Sequence, residues 1–174
     1  MEGKIHLYFG EGKGKTTAAF GLAVRALGRD MTVSICQFLK GTPSGEALFM
    51  KNAPRCTLLR DESTQKFVFQ MNEDERTAYT ASQRVLWERA VSVMKADGAD
   101  LLILDEALGA LELGILSENE VVSALADRLP GLEVVLTGRK PTPQLLKIAD
   151  YASRVECVKH PFDKGTPARK GIEF

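Results

Sequence analysis

The sequence is poor in the residues on which many enzymes depend. Among 174 residues there are two histidines, three cysteines and one tryptophan. His160 has no second histidine, cysteine cluster or serine partner at a telling distance, so a structural or hydrogen-bonding role is favoured over that of a catalytic base, and His6, inside an apolar stretch, reads as packing. Cys36, Cys56 and Cys157 are odd in number and outside any CxxC pair. They read as reduced thiols of a cytosolic protein rather than a disulfide framework or a zinc site. Net charge is absent too, because 23 Lys and Arg are matched by 23 Asp and Glu. That removes the usual electrostatic reason to expect nucleic acid or an anionic membrane as partner. No apolar run approaches the ~20 residues that span a bilayer, and no signal peptide is recognised, so a cytoplasmic protein is expected. With 44% hydrophobic residues, the chain reads as one soluble globular domain over residues 1–174. A domain of this size buries roughly two thirds of its unfolded surface and needs no metal or disulfide to hold a core.

The chain alternates strand-like and helix-like segments. Strands are expected at Lys4 to Phe9, Thr32 to Phe38, Cys56 to Arg60, Leu101 to Leu104, Val134 to Leu136 and Arg154 to Val158. Helices are expected from Thr16 to Leu27, over Glu46 to Asn52, from an Asn72/Glu75 capping box to about Asp97, after a second box at Ser117/Glu120, and from Thr142-Pro143 to Tyr151. Val121, Leu125 and Leu129 line one face of the fourth of these. The order predicts an α/β fold: a mostly parallel sheet with helices on both faces.

Ligands bind such sheets outside the carboxyl ends of the strands. The polar and glycine-rich clusters all fall there: Gly10 to Thr16 after the first strand, Gln37 to Gly41 after the second, Asp105-Glu106, Thr137-Gly138-Arg139, and Lys159 to Asp163. Their convergence on one edge points to a single active site. Gly10-Glu11-Gly12-Lys13-Gly14-Lys15-Thr16, followed by Thr17, is the strongest signal. Glycines let the backbone aim N–H groups at phosphate oxygens, and the helix that follows adds its positive end. Lys15 would neutralise phosphate and Thr16 would sit beside a magnesium ion. Phe9 stands where a strict Walker pattern has glycine, so the loop is one residue shorter than the common form. A plain glycine-rich turn is the alternative. Asp105 and Glu106 read as holders of magnesium or as a solvated pair capping the helix near Ala107. Arg139 fits a phosphate contact or an anchor of the sheet edge equally well. Phe67 and Phe69 share a face if Lys66 to Gln70 is extended, and either a core face or a ligand platform fits that spacing.

Taken together, the motifs resemble the P-loop ATP:corrinoid adenosyltransferases. The shortened loop at 10–17, Gln37 to Gly41, Asp105-Glu106, Thr137 to Arg139, Lys159 to Asp163 and the closing Gly171-Ile172-Glu173-Phe174 match in order over nearly the whole chain. The resemblance implies a RecA-like P-loop fold, a homodimer, and transfer of the 5′-deoxyadenosyl group of ATP to the cobalt of a reduced corrinoid with release of triphosphate. By position, Gly10 to Thr17 and Arg139 would bind ATP, with Lys15, Thr16 and Glu106 as the catalytic residues. Thr16, Asp105 and Glu106 would hold Mg2+ or Mn2+, and Phe67 and Phe69 would lie beneath the corrin ring. An electron donor, such as a flavoprotein, would reduce cobalt(II). Glu11 replaces an expected asparagine at the ribose or adenine contact, and Phe69 an expected tryptophan. Longer members carry a segment ahead of the first strand that has no counterpart in these residues. The rival readings are a P-loop ATPase or phosphotransferase that cleaves the γ-phosphate, and a nucleotide-binding module without chemistry.

Overall fold

The computed structural model describes residues 2–42, 44–62, 66 and 68–173, the side chain of Phe69 excepted. Its strands are β1 (Ile5–Phe9), β2 (Val33–Gln37), β3 (Cys56–Arg60), β4 (Leu101–Asp105), β5 (Glu133–Gly138) and β6 (Tyr151–Arg154). The helices are α1 (Lys15–Leu27), α2 (Gly45–Met50), α3 (Glu73–Lys95), α4 (Ala107–Glu112), α5 (Glu118–Ala126) and α6 (Pro143–Ile148). The six strands form one sheet in the order β3-β2-β4-β5-β1-β6, and every pairing is parallel. All carboxyl ends therefore lie on one edge, where the sequence concentrates its polar clusters. The arrangement is consistent with a P-loop nucleotide-binding fold.

Alternation along the central strands assigns each residue to a face. Leu102, Leu104, Val134 and Leu136 pack with Leu86, Trp87, Ala90 and Met94 of α3, Val121 and Leu125 of α5 and Leu145 of α6. Leu101, Ile103, Val135 and Ile35 pack on the other side with Ala19, Phe20, Ala23 and Ala26 of α1 and with Met50 of α2. Helices thus cover both faces, which is why the central strands read as unbroken apolar runs. Each such side chain, fully removed from water, contributes about 1.5–3 kcal/mol.

Helix starts follow the sequence closely. The Asn72 side chain accepts from Glu75 N while the Glu75 carboxylate accepts from Asn72 N, a complete capping box. Ser117 accepts from Glu120 N, but the Glu120 carboxylate pairs with Arg84 of α3, so that box is half formed and the helix is tied to its neighbour instead. Thr142 caps α6, with Pro143 in its first turn.

Three boundaries differ from expectation. Leu129 lies beyond α5, and its N–H bonds to Met94 O. Helix α6 stops at Ile148, and the last strand is Tyr151–Arg154 rather than Arg154 to Val158. Asp150 fixes this earlier register: its carboxylate accepts from Ile5 N at 2.9 Å and its own N–H donates to Ile5 O at 2.9 Å. Val155 and Glu156 are left to form a floor for the glycine-rich loop.

Candidate active site

The loop after β1 rests on that floor. Gly10 has φ 115°, and a Cβ there would come within 2.4 Å of Val155 O. A Cβ on Gly12 would come within 2.6 Å of Glu156 O. Only glycine fits at either place. Gly10 N donates to Arg139 O and Gly12 N to Val155 O, both at 2.9 Å. The N–H groups of Lys15, Thr16 and Thr17 make the first turn of α1, where none has an intrahelical acceptor and the helix presents its positive end. Lys15 folds back over the loop, Nζ donating to Gly12 O at 2.8 Å. Lys13 reaches the end of the chain, donating to Ile172 O and to the Glu173 carboxylate. Hydrogen bonds from Arg169, then from Lys13, hold the Glu173 carboxyl down to about 2.

The two neighbouring carboxylates after β4 differ in kind. Asp105 is fully buried and accepts four hydrogen bonds. Oδ1 takes Thr16 Oγ1 at 2.9 Å and Thr137 Oγ1 at 2.7 Å; Oδ2 takes Lys40 Nζ at 2.8 Å and Gln37 Nε2 at 3.0 Å. Burial pushes its carboxyl up, but the Lys40 charge and these hydrogen bonds outweigh it and leave the group below the ordinary carboxylate range. Glu106 has a left-handed backbone, φ 60° and ψ 20°, at the start of α4. Its N–H donates to Thr137 Oγ1 at 2.9 Å, and its carboxylate makes no hydrogen bond or ion pair among the described residues. A non-glycine residue in this conformation costs about 1–2 kcal/mol, so the surrounding contacts hold Glu106 against its preference. Burial, with Asp105 adding to it, raises the Glu106 carboxyl against the opposing charge of Lys40.

Two clefts flank the loop. One, of about 290 Å³, is lined by Lys13 to Thr17, Lys40, Glu46, Glu106 and Glu173. The other, of about 480 Å³, is lined by Phe9 to Glu11, Arg139 to Pro141 and Arg154 to Cys157. Lys13 to Thr17 and Glu106 are thus brought together at the first cleft, with Asp105 buried behind Thr16, whereas Gly10 and Glu11 line the second. Arg139 lies apart at the second, exposed and 3.8 Å from Glu11. Phe67 lies outside the described residues, as does the side chain of Phe69, whose backbone belongs to a 3-10 turn at Val68–Gln70. His6 bonds to Glu133 and stacks on Tyr151, so it does more than pack. His160 accepts from Phe162 N and caps a short turn. Sequence reasoning placed Gln37 and Lys40 on the site edge without giving either a role. Their signals were that position and the Gln37 to Gly41 segment's match to the resembled family.

Thr16 Oγ1, Asp105 and Glu106 form a hard-oxygen set suited to a magnesium-type ion, which takes one or two carboxylates and completes its shell with phosphate and water. The set fits with a division of labour. Asp105 already accepts four donors and orients Thr16, while the Glu106 carboxylate is the one at liberty. Among the described residues no group of three His, Cys, Asp or Glu could form an all-protein cage.

The family model described as ATP:corrinoid adenosyltransferase BtuR/CobO/CobP matches residues 1–174. The chain belongs to this adenosyltransferase family. A corrinoid adenosyltransferase of Escherichia coli K12 is 36% identical over 173 residues, which cover 99% of this chain and 86% of that protein. The Salmonella typhimurium protein named corrinoid adenosyltransferase CobA is 36% identical with the same coverage. A corrinoid adenosyltransferase of Pseudomonas aeruginosa is 33% identical over 99% of this chain and 84% of its own length. Membership makes this chain an enzyme of the adenosyltransferase type.

Proposed function

We propose that this single-domain protein transfers the 5′-deoxyadenosyl group of ATP to the cobalt of a reduced corrinoid and releases triphosphate. One observation carries the reading beyond family membership: cations, unbonded N–H groups and hard-oxygen donors converge on one cleft, while both histidines are engaged elsewhere. Cobalt(I) supplies the electron pair that attacks C5′. The C5′–O bond breaks, and its pair leaves with the triphosphate. No proton moves, so no general base is needed. What the protein must supply is compensation for charge on the leaving group and a fixed geometry for the attack. First-turn N–H groups and Lys15 serve the first need, and Arg139 serves it from the second cleft. Glu11 lies at the adenosine end.

Thr16 and Glu106 would hold Mg2+ or Mn2+, with Asp105 fixing the Thr16 hydroxyl. That ion would neutralise phosphate charge. Phe67 and Phe69 are assigned to the corrin face, where an apolar surface would keep a lower ligand from cobalt. A flavoprotein-type electron donor reduces cobalt(II). A homodimer is supported by β6, an edge strand whose four residues are all exposed although parallel sheets are ordinarily covered. Among the described residues no helix is long and apolar enough to cross a membrane. The proposed location is cytoplasmic, and the proposed partners are neither nucleic acid nor membrane.

The product assay tests the reading. Incubation with ATP, magnesium and chemically reduced cobalamin should give adenosylcobalamin and triphosphate in equal amounts. ADP with phosphate would mean a phosphohydrolase of the same fold, and unchanged ATP a binding module.

A further inference from the structure

Lys40 is the residue at the site that neither the motif nor the metal assignment accounts for. Its ammonium lies 2.8 Å from Thr16 Oγ1 and 2.8 Å from Asp105 Oδ2. Those are the two side chains between which P-loop enzymes hold their divalent ion. The placement is built by three elements. Phe38 N donates to Asp105 O, joining the segment after β2 to the end of β4. Leu39 is left-handed, with φ 58°. Its N–H donates at 3.0 Å to the side chain of Gln83, a buried residue of α3. Arg60 of β3 donates from one Nη to both Lys40 O and Gly41 O at 3.0 Å. The Arg60 side chain is 5% exposed and its Nε lies 3.7 Å from the Glu62 carboxylate; among the described residues Nε and the other Nη make no hydrogen bond. A strained backbone held by a buried amide and a buried guanidinium is over-determined, and what it determines is where Lys40 points.

We propose that Lys40 is a resident cation: in the nucleotide-free protein its ammonium sits on the Thr16 oxygen that the metal needs, with Asp105 as its counter-ion, and keeps a free divalent ion out. Triphosphate supplies the partner that lets it leave. An ammonium and a divalent ion cannot share the Thr16 oxygen, so metal alone binds only by displacing Lys40 into water. Phosphate oxygens in the same cleft give the displaced ammonium a new anion. Metal and nucleotide therefore enter together, and by reciprocity each strengthens the other. The inference rests on the metal assignment to Thr16 and Glu106 but not on the transfer chemistry.

The test uses Mn2+ alone as probe, with bound and free ion measured by electron paramagnetic resonance on the intact protein and no corrinoid. Wild type should bind Mn2+ weakly without nucleotide, and Lys40→Gln roughly tenfold more tightly. ATP should then improve Mn2+ affinity by a smaller factor in the variant than in wild type. Lys40→Arg keeps the charge and should stay near wild type. Equal Mn2+ affinity of wild type and Lys40→Gln overturns the proposal. Should Lys40→Gln fail to fold, the wild-type arm still decides: tight Mn2+ binding without ATP that Thr16→Ala abolishes also overturns it. If no protein binds Mn2+ even with ATP, the metal assignment falls and takes this proposal with it. A missing adenosyl product would sink the transferase reading while leaving these measurements intact.

Discussion

The two clefts beside the phosphate loop are built to different standards. In the cleft of Lys15 and Glu106, one buried carboxylate organises Thr16, Gln37, Lys40 and Thr137 at 2.7–3.0 Å. Along the cleft of Glu11 and Arg139, the charged groups meet only at 3.8 Å between Arg139 and Glu11 and at 3.4 Å between Arg154 and Glu156, all four side chains exposed. Exposed pairs of that kind contribute about 0–1 kcal/mol and fix little. A triphosphate has the same charge and shape in every ATP, and a rigid cleft can be complementary to it in advance. In the proposed orientation the looser cleft suits the adenosine end of the nucleotide, the part that must adapt when a large second substrate enters.

Breaking the rigid cleft at its cation should give the largest effect. Lys15→Ala removes charge compensation from the leaving group and should lower kcat by about a hundred- to a thousandfold. Among the described residues its Nζ makes one hydrogen bond, to Gly12 O, so the melting temperature should stay within a few degrees of the parent. Normal melting with wild-type turnover would remove the phosphate site from this loop.

The paired carboxylates sharpen the comparison, because their pH behaviour has opposite sign. Asp105 is held below the ordinary carboxylate range. Its contribution is present above that range and is lost as pH falls through the folded value. Asp105→Asn should therefore cost about 2 kcal/mol at neutral pH, less than a fully buried pair because Lys40 is partly exposed. The variant should also lose part of the acid limb of the stability curve. Glu106 is raised, so its protonated form favours folding and that gain is lost as pH rises through the folded value. Glu106→Gln, always neutral, should be at least as stable as the parent at neutral pH while activity falls about tenfold to a hundredfold and the magnesium requirement rises. Urea melts from pH 4 to 8 beside magnesium titrations check both. Superimposable magnesium titrations would make Glu106 a mere helix cap, and equal destabilisation by the two substitutions would erase the distinction.

The sequence displayed those parts of the molecule whose cause is local. Leu101 to Leu104 and Val134 to Leu136 announce buried parallel strands because burial on both faces demands apolar residues at every position. Gly10 to Thr16 announces the loop because only that composition makes the turn. The last strand was misplaced by three residues since Tyr151–Arg154 is an exposed edge with no apolar signature, while Val155 and Val158 imitate one. The polar wiring was illegible for another reason. Thr16 and Asp105 are 89 residues apart, and Lys40 and Asp105 are 65 apart. Gln83 and Arg60 shape the site without facing ATP. Such roles exist only once the sheet has brought the β2 and β4 ends together.

The smallest effect tests the looser cleft without altering it. Cys157 is exposed and lines that cleft beside Glu11 and Arg139. Cys36 is buried in the core, and burial pushes its thiol up to about 12 despite the opposing charge of Arg89. Cys56 is half-buried, and burial raises its thiol as well. Since the thiolate is the reactive form and access decides which site is attacked, a neutral alkylating reagent should modify Cys157 first and leave Cys36 untouched until the protein unfolds. On the proposed reading magnesium and ATP bind the folded protein at the loop, and the nucleoside end extends over Glu11. Saturating ATP should then slow Cys157 modification about threefold, the free fraction of protein falling as ligand exceeds its Kd. Triphosphate alone should protect less, because it lacks the nucleoside that extends over Glu11. Mass spectrometry of the labelled peptide reads all three rates in one sample, and Cys157→Ser fixes the background. If ATP leaves the Cys157 rate unchanged while still raising the melting temperature, the nucleotide binds without entering this cleft. Adenosine would then belong on the Lys40 side.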